Sequence, residues 1–185
     1  MKYLKPVFMM VILSFIISQG FAETVTAPLT FVSVKGSGEF KNTETLLIDK
    51  DFPVEETVFD GPGCVYWFSP ETSFVFDLGE ICLIDNLTIQ VDNNDRYQID
   101  FSEDGMNYKP LLTIHEDFGK VEDGMDTLST DPENAQYAEG MKMEPITARY
   151  LKVTGSEGDA NFSFSELNVT GKQQRPVEPN TNPKQ

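Results

Sequence analysis

Three short runs of alternating apolar and polar residues dominate the middle of the chain and constrain its fold more than any other feature. The runs cover residues 74–76, 87–91 and 97–101. Alternation with a period of two is typical of half-buried strands. The polar segments between the runs, 77–79 and 92–95, are rich in Asp, Asn and Gly, which favour turns. We therefore predict three successive strands joined by turns.

Further alternating runs extend this pattern toward both ends of the chain. Residues 29–34 predict a first strand, and residues 109–114 continue the sheet after the central region. Residues 148–154 and 162–170 predict two late strands. Together these runs predict an all-β domain.

The first 22 residues have the features of a secretory signal peptide. They begin with two lysines, continue with an apolar run over residues 7–17 and end in Gly20-Phe21-Ala22. The alternative is a membrane anchor, but a spanning helix needs about 20 apolar residues and this run is shorter. We expect cleavage after Ala22, a secreted or periplasmic protein, and no membrane insertion.

The chain is strongly acidic. It has 30 acidic and 14 basic residues, with a net charge of −16 that becomes −18 when the two lysines of residues 1–22 are removed. Such a surface repels phosphate backbones and anionic lipid headgroups. We therefore expect no nucleic-acid partner.

Several motifs, taken in order, give the chain a family resemblance. The motifs are Asp77-Leu78-Gly79, then Tyr-x-Ile-x-Phe-Ser-x-Asp-Gly-x-x-Tyr over residues 97–108, then Ala-Arg-Tyr-Leu-Lys-Val over 148–153, then Ser-Glu-Leu-Asn-Val over 165–169. This series resembles the discoidin family, also known as the coagulation factor V/VIII type C domain, which includes galactose-binding-like modules of bacterial secreted proteins.

The resemblance implies a fold and a domain organisation. It covers roughly residues 46–171 and implies a jelly-roll β-sandwich of about eight antiparallel strands, galactose-binding-domain-like, in a domain that we place at residues 23–171. The segment that follows, 172–185, is rich in Pro, Asn, Gln and Lys, and this composition predicts a disordered tail.

The resemblance also implies a structural calcium ion in the loop that follows Leu46-Leu47-Ile48. Its ligands would be Asp49, Asp51, Thr57 and Glu166. Calcium binds six to eight oxygens, which an acidic loop with free carbonyls can supply. However, residues 53–56 lengthen this loop relative to the family pattern. The alternative is a solvated acidic loop.

Five consecutive polar residues, Asp92, Asn93, Asn94, Asp95 and Arg96, form the candidate ligand site. A tight turn needs only two residues. In galactose-binding relatives the loop at this place contacts sugar hydroxyls, so the resemblance implies that Arg96 and Asn94 recognise the sugar while Asp92 or Asp95 accepts from hydroxyls. The alternative is a hydrated turn in which Asp and Asn bind their own backbone.

Three further features have two interpretations each. Cys64 and Cys82 are the only cysteines, and in an exported chain they could form a disulfide or remain buried thiols. Trp67, the only tryptophan, could belong to the core or stack on a sugar ring. Residues 115–145 could cover a ligand site, plug a gap in the core or form a disordered insertion.

Nothing in the sequence predicts catalysis. The single histidine, His115, has no adjacent nucleophile motif, and the sequence has neither a histidine pair for zinc nor a phosphate-binding loop. We expect an exported protein without enzymatic activity that recognises carbohydrate, such as a cell-surface glycan, through loops at one end of the sandwich. The alternative is a structural or adhesion protein that binds another protein through the same fold.

Overall fold

The computed structural model describes residues 26–121 and 123–173, which form nine strands and one short 3₁₀ helix at Glu44–Ile48. The strands are β1 (Ala27–Leu29), β2 (Ser33–Ser37), β3 (Val65–Trp67), β4 (Ser73–Asp92), β5 (Arg96–Ser102), β6 (Lys109–Ile114), β7 (Met125–Ser129), β8 (Ile146–Glu157) and β9 (Phe162–Gln173). No helix of these residues is long and apolar enough to cross a membrane.

The predicted segments at the two ends of the chain fall largely outside this description. The signal peptide predicted over residues 1–22 lies wholly outside the described residues. The predicted tail, 172–185, lies outside them except for residues 172 and 173, where β9 still continues.

Strand pairing divides the nine strands into two layers. One layer has the order β2, the first part of β4, β8, β5 and β6. The other has β7, the second part of β4 and β9, with β1 and β3 along the far edge of β9. All of these pairings are antiparallel, which confirms the predicted all-β jelly-roll sandwich. The count of nine differs from the predicted eight because the run 29–34 is split between β1 and β2, two predicted strands are joined in β4, and β7 lies in a segment where no strand was predicted.

Strand β4 is the element that joins the two layers. The sequence predicts two strands here, separated by a turn at residues 77–79, and that prediction is wrong. The N–H of Gly79 donates to Asp77 Oδ1 at 2.7 Å, and Gly79 has a φ of +80° that favours glycine. The pairing register shifts between Asp77 and Cys82. The chain therefore bends as at a β-bulge and continues as one strand of 20 residues.

The core lies between the layers and has an aromatic centre. Trp67 is fully buried and stacks on Phe162 with ring centroids 5.7 Å apart. Phe74 and Tyr97 also contact its ring, at 5.0 and 6.2 Å. The core interpretation of Trp67 is therefore correct.

The long segment 115–145 is packed rather than disordered. It contains β7, which pairs with the second part of β4. Met125 and Met141 are buried, and Met141 belongs to the main hydrophobic cluster. This placement supports the interpretation that the methionines of this segment fill the core.

The two cysteines are free and buried, so the predicted alternative of a disulfide is wrong for this structure. Strand β9 shows why. Val65, next to Cys64, lies opposite Phe164, whereas Cys82 lies opposite Gln173. Nine positions along a strand correspond to on the order of 30 Å. A disulfide requires Cα atoms within about 7 Å.

Candidate functional site

A cleft of about 340 Å³ opens at one end of the sandwich. Strands β4 and β8 end there and β5, β7 and β9 begin there, as shown by the pairing of Asp92 with Met125 and of Arg96 with Glu157. The cleft is therefore bordered by the β4–β5 turn, the β8–β9 loop, the loop before β3 and the residues before β7. Its lining residues are Glu56, Val58, Phe59, Asp60, Asp92, Asn94, Asp123, Gly124 and Asp159.

A second concavity of about 320 Å³ lies beside β3. It is lined by Phe40, Tyr66 and Phe68 among others, and none of the predicted ligand-binding residues borders it. The cleft at the sandwich end is therefore the candidate functional site, and Phe68 is an exposed aromatic residue outside it.

The segment 92–96 crosses from one layer of the sandwich to the other. Strand β4 ends in the layer that contains β9, and β5 pairs with β6 and β8 in the opposite layer. A two-residue hairpin turn joins neighbouring strands of one sheet and would not span this gap. The five polar residues are thus a connection between layers, with the cleft on its outer side.

Three of the five predicted ligand-binding residues are buried by this crossing. Asp92, Asn93 and Asp95 are only 2%, 6% and 1% exposed. Asn93 has a structural role, because its N–H donates to the carbonyl of Gly124 at 3.0 Å and its side-chain amide donates to the carbonyl of Val121. It holds the residues before β7 against the turn.

The carboxylates of Asp92 and Asp95 lack the hydrogen bonds that buried charges usually have. Within residues 26–121 and 123–173, Asp92 Oδ1 and both carboxylate oxygens of Asp95 accept no well-aligned hydrogen bond, and the backbone N–H groups of Asp159 and Ala160 offset the burial of Asp95 only in part. Burial, reinforced by the charges of Asp123 and Asp159, raises the pKa of Asp92 to about 6. Burial and the charges of Asp92 and Asp159 raise the pKa of Asp95 to about 7. In the folded protein, these two carboxylates are therefore more stable when they are protonated or paired with a positive charge.

The remaining two predicted residues are partly exposed but differ in position. Asn94 lines the cleft, as the sugar-binding hypothesis requires. Arg96 does not line it, because its guanidinium forms ion pairs with Glu157 and, at 3.1 Å, with Glu116. The structure therefore places one of the two predicted sugar-recognising side chains in the cleft.

Sequence reasoning missed most of the residues that complete the cleft. Phe59 and Asp60 precede β3, Asp123 precedes β7, and Asp159 lies between β8 and β9. A Glu-Gly-Asp turn between two predicted strands was the only available signal for Asp159. The approach of these four segments depends on strand pairing, which the sequence pattern does not reveal.

The predicted calcium ligands are only partly brought together. Glu166 is fully buried on β9, and its Oε2 accepts from the N–H of Lys50 at 3.0 Å. Burial raises the pKa of Glu166 to about 8, and the charge of the nearby Asp49 adds to this rise. Asp51 is adjacent, since its N–H donates to Asp49 Oδ1.

Thr57 does not join this group. Its carbonyl accepts from the N–H of Met125 on β7, and its hydroxyl donates to the carbonyl of Val54. Strand β4 separates β7 from β9, so Thr57 lies at least two strand spacings, about 10 Å, from Glu166. In the described part of the chain, no three acidic, His or Cys side chains converge as ligands of one ion.

Comparison with known proteins identifies relatives by structure only. No protein-family model matches the sequence, and no curated protein matches it. A truncated AlyQ with CBM32 and alginate lyase domains superposes with a TM-score of 0.53 at 14% identity, over 82% of this chain and 35% of that chain. The present chain thus spans about a third of that protein.

A second solved structure matches over nearly its whole length. It is CpGH89CBM32-5 from Clostridium perfringens, in complex with GalNAc-β-1,3-galactose, with a TM-score of 0.50 at 20% identity over 77% of this chain and 99% of that chain. Similarity at this level of identity establishes the fold. The chain has the jelly-roll β-sandwich fold found in CBM32 domains.

Proposed function

We propose that the protein is a non-catalytic carbohydrate-binding module that binds a glycan in the cleft at the end of its sandwich. The observation that carries the proposal is the combination, in one cleft, of an aromatic ring with polar side chains. Phe59 supplies the ring, and Asn94 and Asp159 supply the polar groups. Ligand sites of this kind combine apolar walls with a few convergent polar groups.

The polar groups of the cleft match sugar hydroxyls. Asn94 lines the cleft with a side-chain amide, a group that has both a donor and an acceptor; its Oδ1 is itself buried and has no hydrogen-bond partner among the described residues. Its amide nitrogen makes only a long contact, 3.5 Å, with Asp159 Oδ2. Asp159 is exposed and can accept from a hydroxyl.

The apolar wall matches the C–H face of a pyranose ring. Phe59 is half-buried and packs edge-on against Tyr66 with ring centroids 5.7 Å apart, so its orientation is fixed. Val58, beside it, is 64% exposed. The ligand of the similar Clostridium perfringens module, GalNAc-β-1,3-galactose, supports a glycan as the class of ligand here.

The proposal includes export and a structural calcium ion. The charged and apolar pattern of residues 1–22 supports export by a signal peptide. Glu166 supports calcium, because its Oε1 is buried and has no hydrogen-bond partner in the described residues. Asp49 and Glu166, with backbone carbonyls, would hold the ion and tie the loop before β3 to β9.

A matched pair of variants tests the proposal. A glycan array first identifies the glycan that binds best, and calorimetry then measures its affinity for Phe59→Ala and Phe68→Ala. Loss of one aromatic contact should weaken binding on the order of tenfold for Phe59→Ala, at about 1–1.5 kcal/mol. Phe68 is 55% exposed and borders the other concavity, so its variant should bind as the parent protein does.

Two outcomes would contradict the proposal. Equal affinities for Phe59→Ala and the parent protein would show that the glycan binds elsewhere. An array without any binding glycan, followed by capture of one protein from the native surface that depends on Phe59, would favour the protein-binding alternative.

A further inference from the structure

The cleft has an unusual charge for a site that binds neutral sugars. Five of its nine lining residues carry carboxylates, namely Glu56, Asp60, Asp92, Asp123 and Asp159, and none of the nine is basic. Arg96, the nearest cation on the turn, is directed to Glu157 and Glu116. The ligand therefore meets uncompensated negative charge.

One of these carboxylates has an oxygen that lacks a hydrogen-bond partner within the described residues. Asp92 is 98% buried, lines the cleft, and its Oδ1 accepts no well-aligned hydrogen bond from the described residues. A buried carboxylate without a donor or a positive partner is costly. The nearby carboxylate of Asp95 adds a second negative charge and does not compensate the first.

From these features, we infer that the cleft selects glycans with free amino groups, such as glucosamine oligomers, over N-acetylated and uronic glycans. This inference rests on the proposed carbohydrate-binding function and specifies its ligand class. An ammonium group carries the positive charge and three donors that the carboxylates lack. An acetamido group has no charge, and a uronate would be repelled.

The apolar residues suit the rest of such a ligand. Phe59 and Val58 form one wall of the cleft, and the carboxylates of Asp60, Asp123 and Asp159 lie on separate segments around it. A hexosamine can place its C–H face on the apolar wall while its amino group meets a carboxylate. Charge and shape thus favour the same ligand.

Calorimetry on the purified protein, at a mildly acidic pH that keeps the glucosamine amino groups protonated and with a chelator present, tests the inference. The probes are the tetramers of glucosamine, N-acetylglucosamine and galacturonic acid. We expect the glucosamine tetramer to bind at least about fivefold more tightly than its N-acetylated form, a preference typical of a charge pair near a protein surface. The preference should shrink between about 50 and 500 mM salt, because screening weakens charge pairs.

A pair of charge-matched double variants separates the cleft from the acidic surface as a whole. Asp60→Asn/Asp123→Asn removes two exposed cleft charges whose side chains form no hydrogen bonds with the described residues. Asp117→Asn/Glu133→Gln removes two exposed charges outside the cleft. The first variant should lose the preference for the amino sugar, and the second should keep it.

Each alternative outcome has a definite meaning. Equal affinity for the two glucosamine-based tetramers overturns the inference and leaves the proposed function intact, whereas no glycan binding at all contradicts both. Equal losses in the two double variants would show diffuse attraction to the acidic surface. In a repeat without chelator, calcium that competes with the glucosamine tetramer for the cleft of the parent protein, but fails to bind Asp60→Asn/Asp123→Asn there, would show a metal site instead. Either of these two results also overturns the inference.

Discussion

Asp95 shows how the fold uses a polar residue that the sequence pattern assigns to a solvated turn. Its carboxylate is buried beneath the β8–β9 loop and accepts no well-aligned hydrogen bond within the described residues. An Asp in a turn usually binds its own backbone. Here the carboxylate is a source of instability whenever it is charged.

The raised pKa values of Asp92 and Asp95 determine a pH dependence of stability. Their folded-state pKa values, about 6 and about 7, exceed the ordinary value of 3.8. The folded protein therefore binds more protons than the unfolded chain between about pH 4 and pH 7, and these groups reduce stability as pH rises through that window. Each of the two shifts alone corresponds to on the order of 3–4 kcal/mol of lost stability at high pH.

Asp95→Asn tests this pH dependence. Denaturant unfolding in the presence of a chelator should show the variant to be more stable than the parent protein at pH 7.5, because it removes a buried charge. The difference should shrink at pH 4.5, where the parent carboxylate is protonated. A variant that is less stable at pH 7.5, or that has an unchanged pH profile, would contradict the assignment.

Glu166 supports a second residue-scale prediction, on calcium. Its buried Oε1 has no partner in the described chain, and its pKa is raised to about 8. Calcium should therefore raise the melting temperature of the parent protein, because an ion that binds only the folded state stabilises it. Glu166→Gln should abolish this rise and melt higher than the parent protein in chelator at pH 8.

A conservative substitution in the loop before β3, which contains Asp49, provides the control for the calcium prediction. Glu55→Gln removes one charge from the same loop, at a side chain that was not among the predicted ligands. It should retain the calcium response. A response that persists in Glu166→Gln, or an unchanged melting temperature of the parent protein with calcium, would contradict the predicted site.

At the scale of elements, the β8–β9 loop is shaped by its approach to the β4–β5 turn. Gly158 has a φ of +117°, and a Cβ there would lie 2.7 Å from the Cα of Asp95 and overlap its carboxylate. Only glycine tolerates both the positive φ and the close approach of Asp95. The position of Asp159 at the rim of the cleft thus depends on the residue before it.

Gly158→Ala tests this dependence against a matched glycine. The substitution should destabilise the protein by about 2 kcal/mol or more and also weaken glycan binding, because the loop must move away from the turn. Gly105→Ala, at a φ of +72°, would meet only the Tyr150 ring at 3.2 Å. It should cost about 1 kcal/mol and leave binding unchanged. Equal effects of the two substitutions on binding would contradict this view of the loop.

Strand β4 and the turn after it also show how far elements could be predicted from sequence. Alternation located most of the strands, because one face of each strand is buried. It could not distinguish a turn at residues 77–79 from a bulge, since Asp and Gly suit both. The local sequence pattern does not indicate whether residues 92–96 join two strands of the same layer or strands of opposite layers. The burial of Asp92 and Asp95 follows from that difference.

At the scale of the whole molecule, the jelly-roll fold was predictable because the order of several motifs is a long-range signal. The site was predictable only in part. Asn94 lies on a loop that the resemblance implicates, whereas Phe59, Asp60 and Asp123 reach the cleft through strand pairings that are distant in sequence. The acidic surface, by contrast, could be read from composition, and it agrees with the charge of the cleft.

The most direct test of the central claim, glycan binding in the cleft, is a thermal melt of the protein against a panel of neutral, amino and uronic sugars with calcium present. A sugar at about ten times its dissociation constant should add about 1.4 kcal/mol and raise the melting temperature by a few degrees. We expect such a rise for the parent protein and Phe68→Ala, and its loss in Phe59→Ala. A panel without any shift, or an equal shift in Phe59→Ala, would contradict the account.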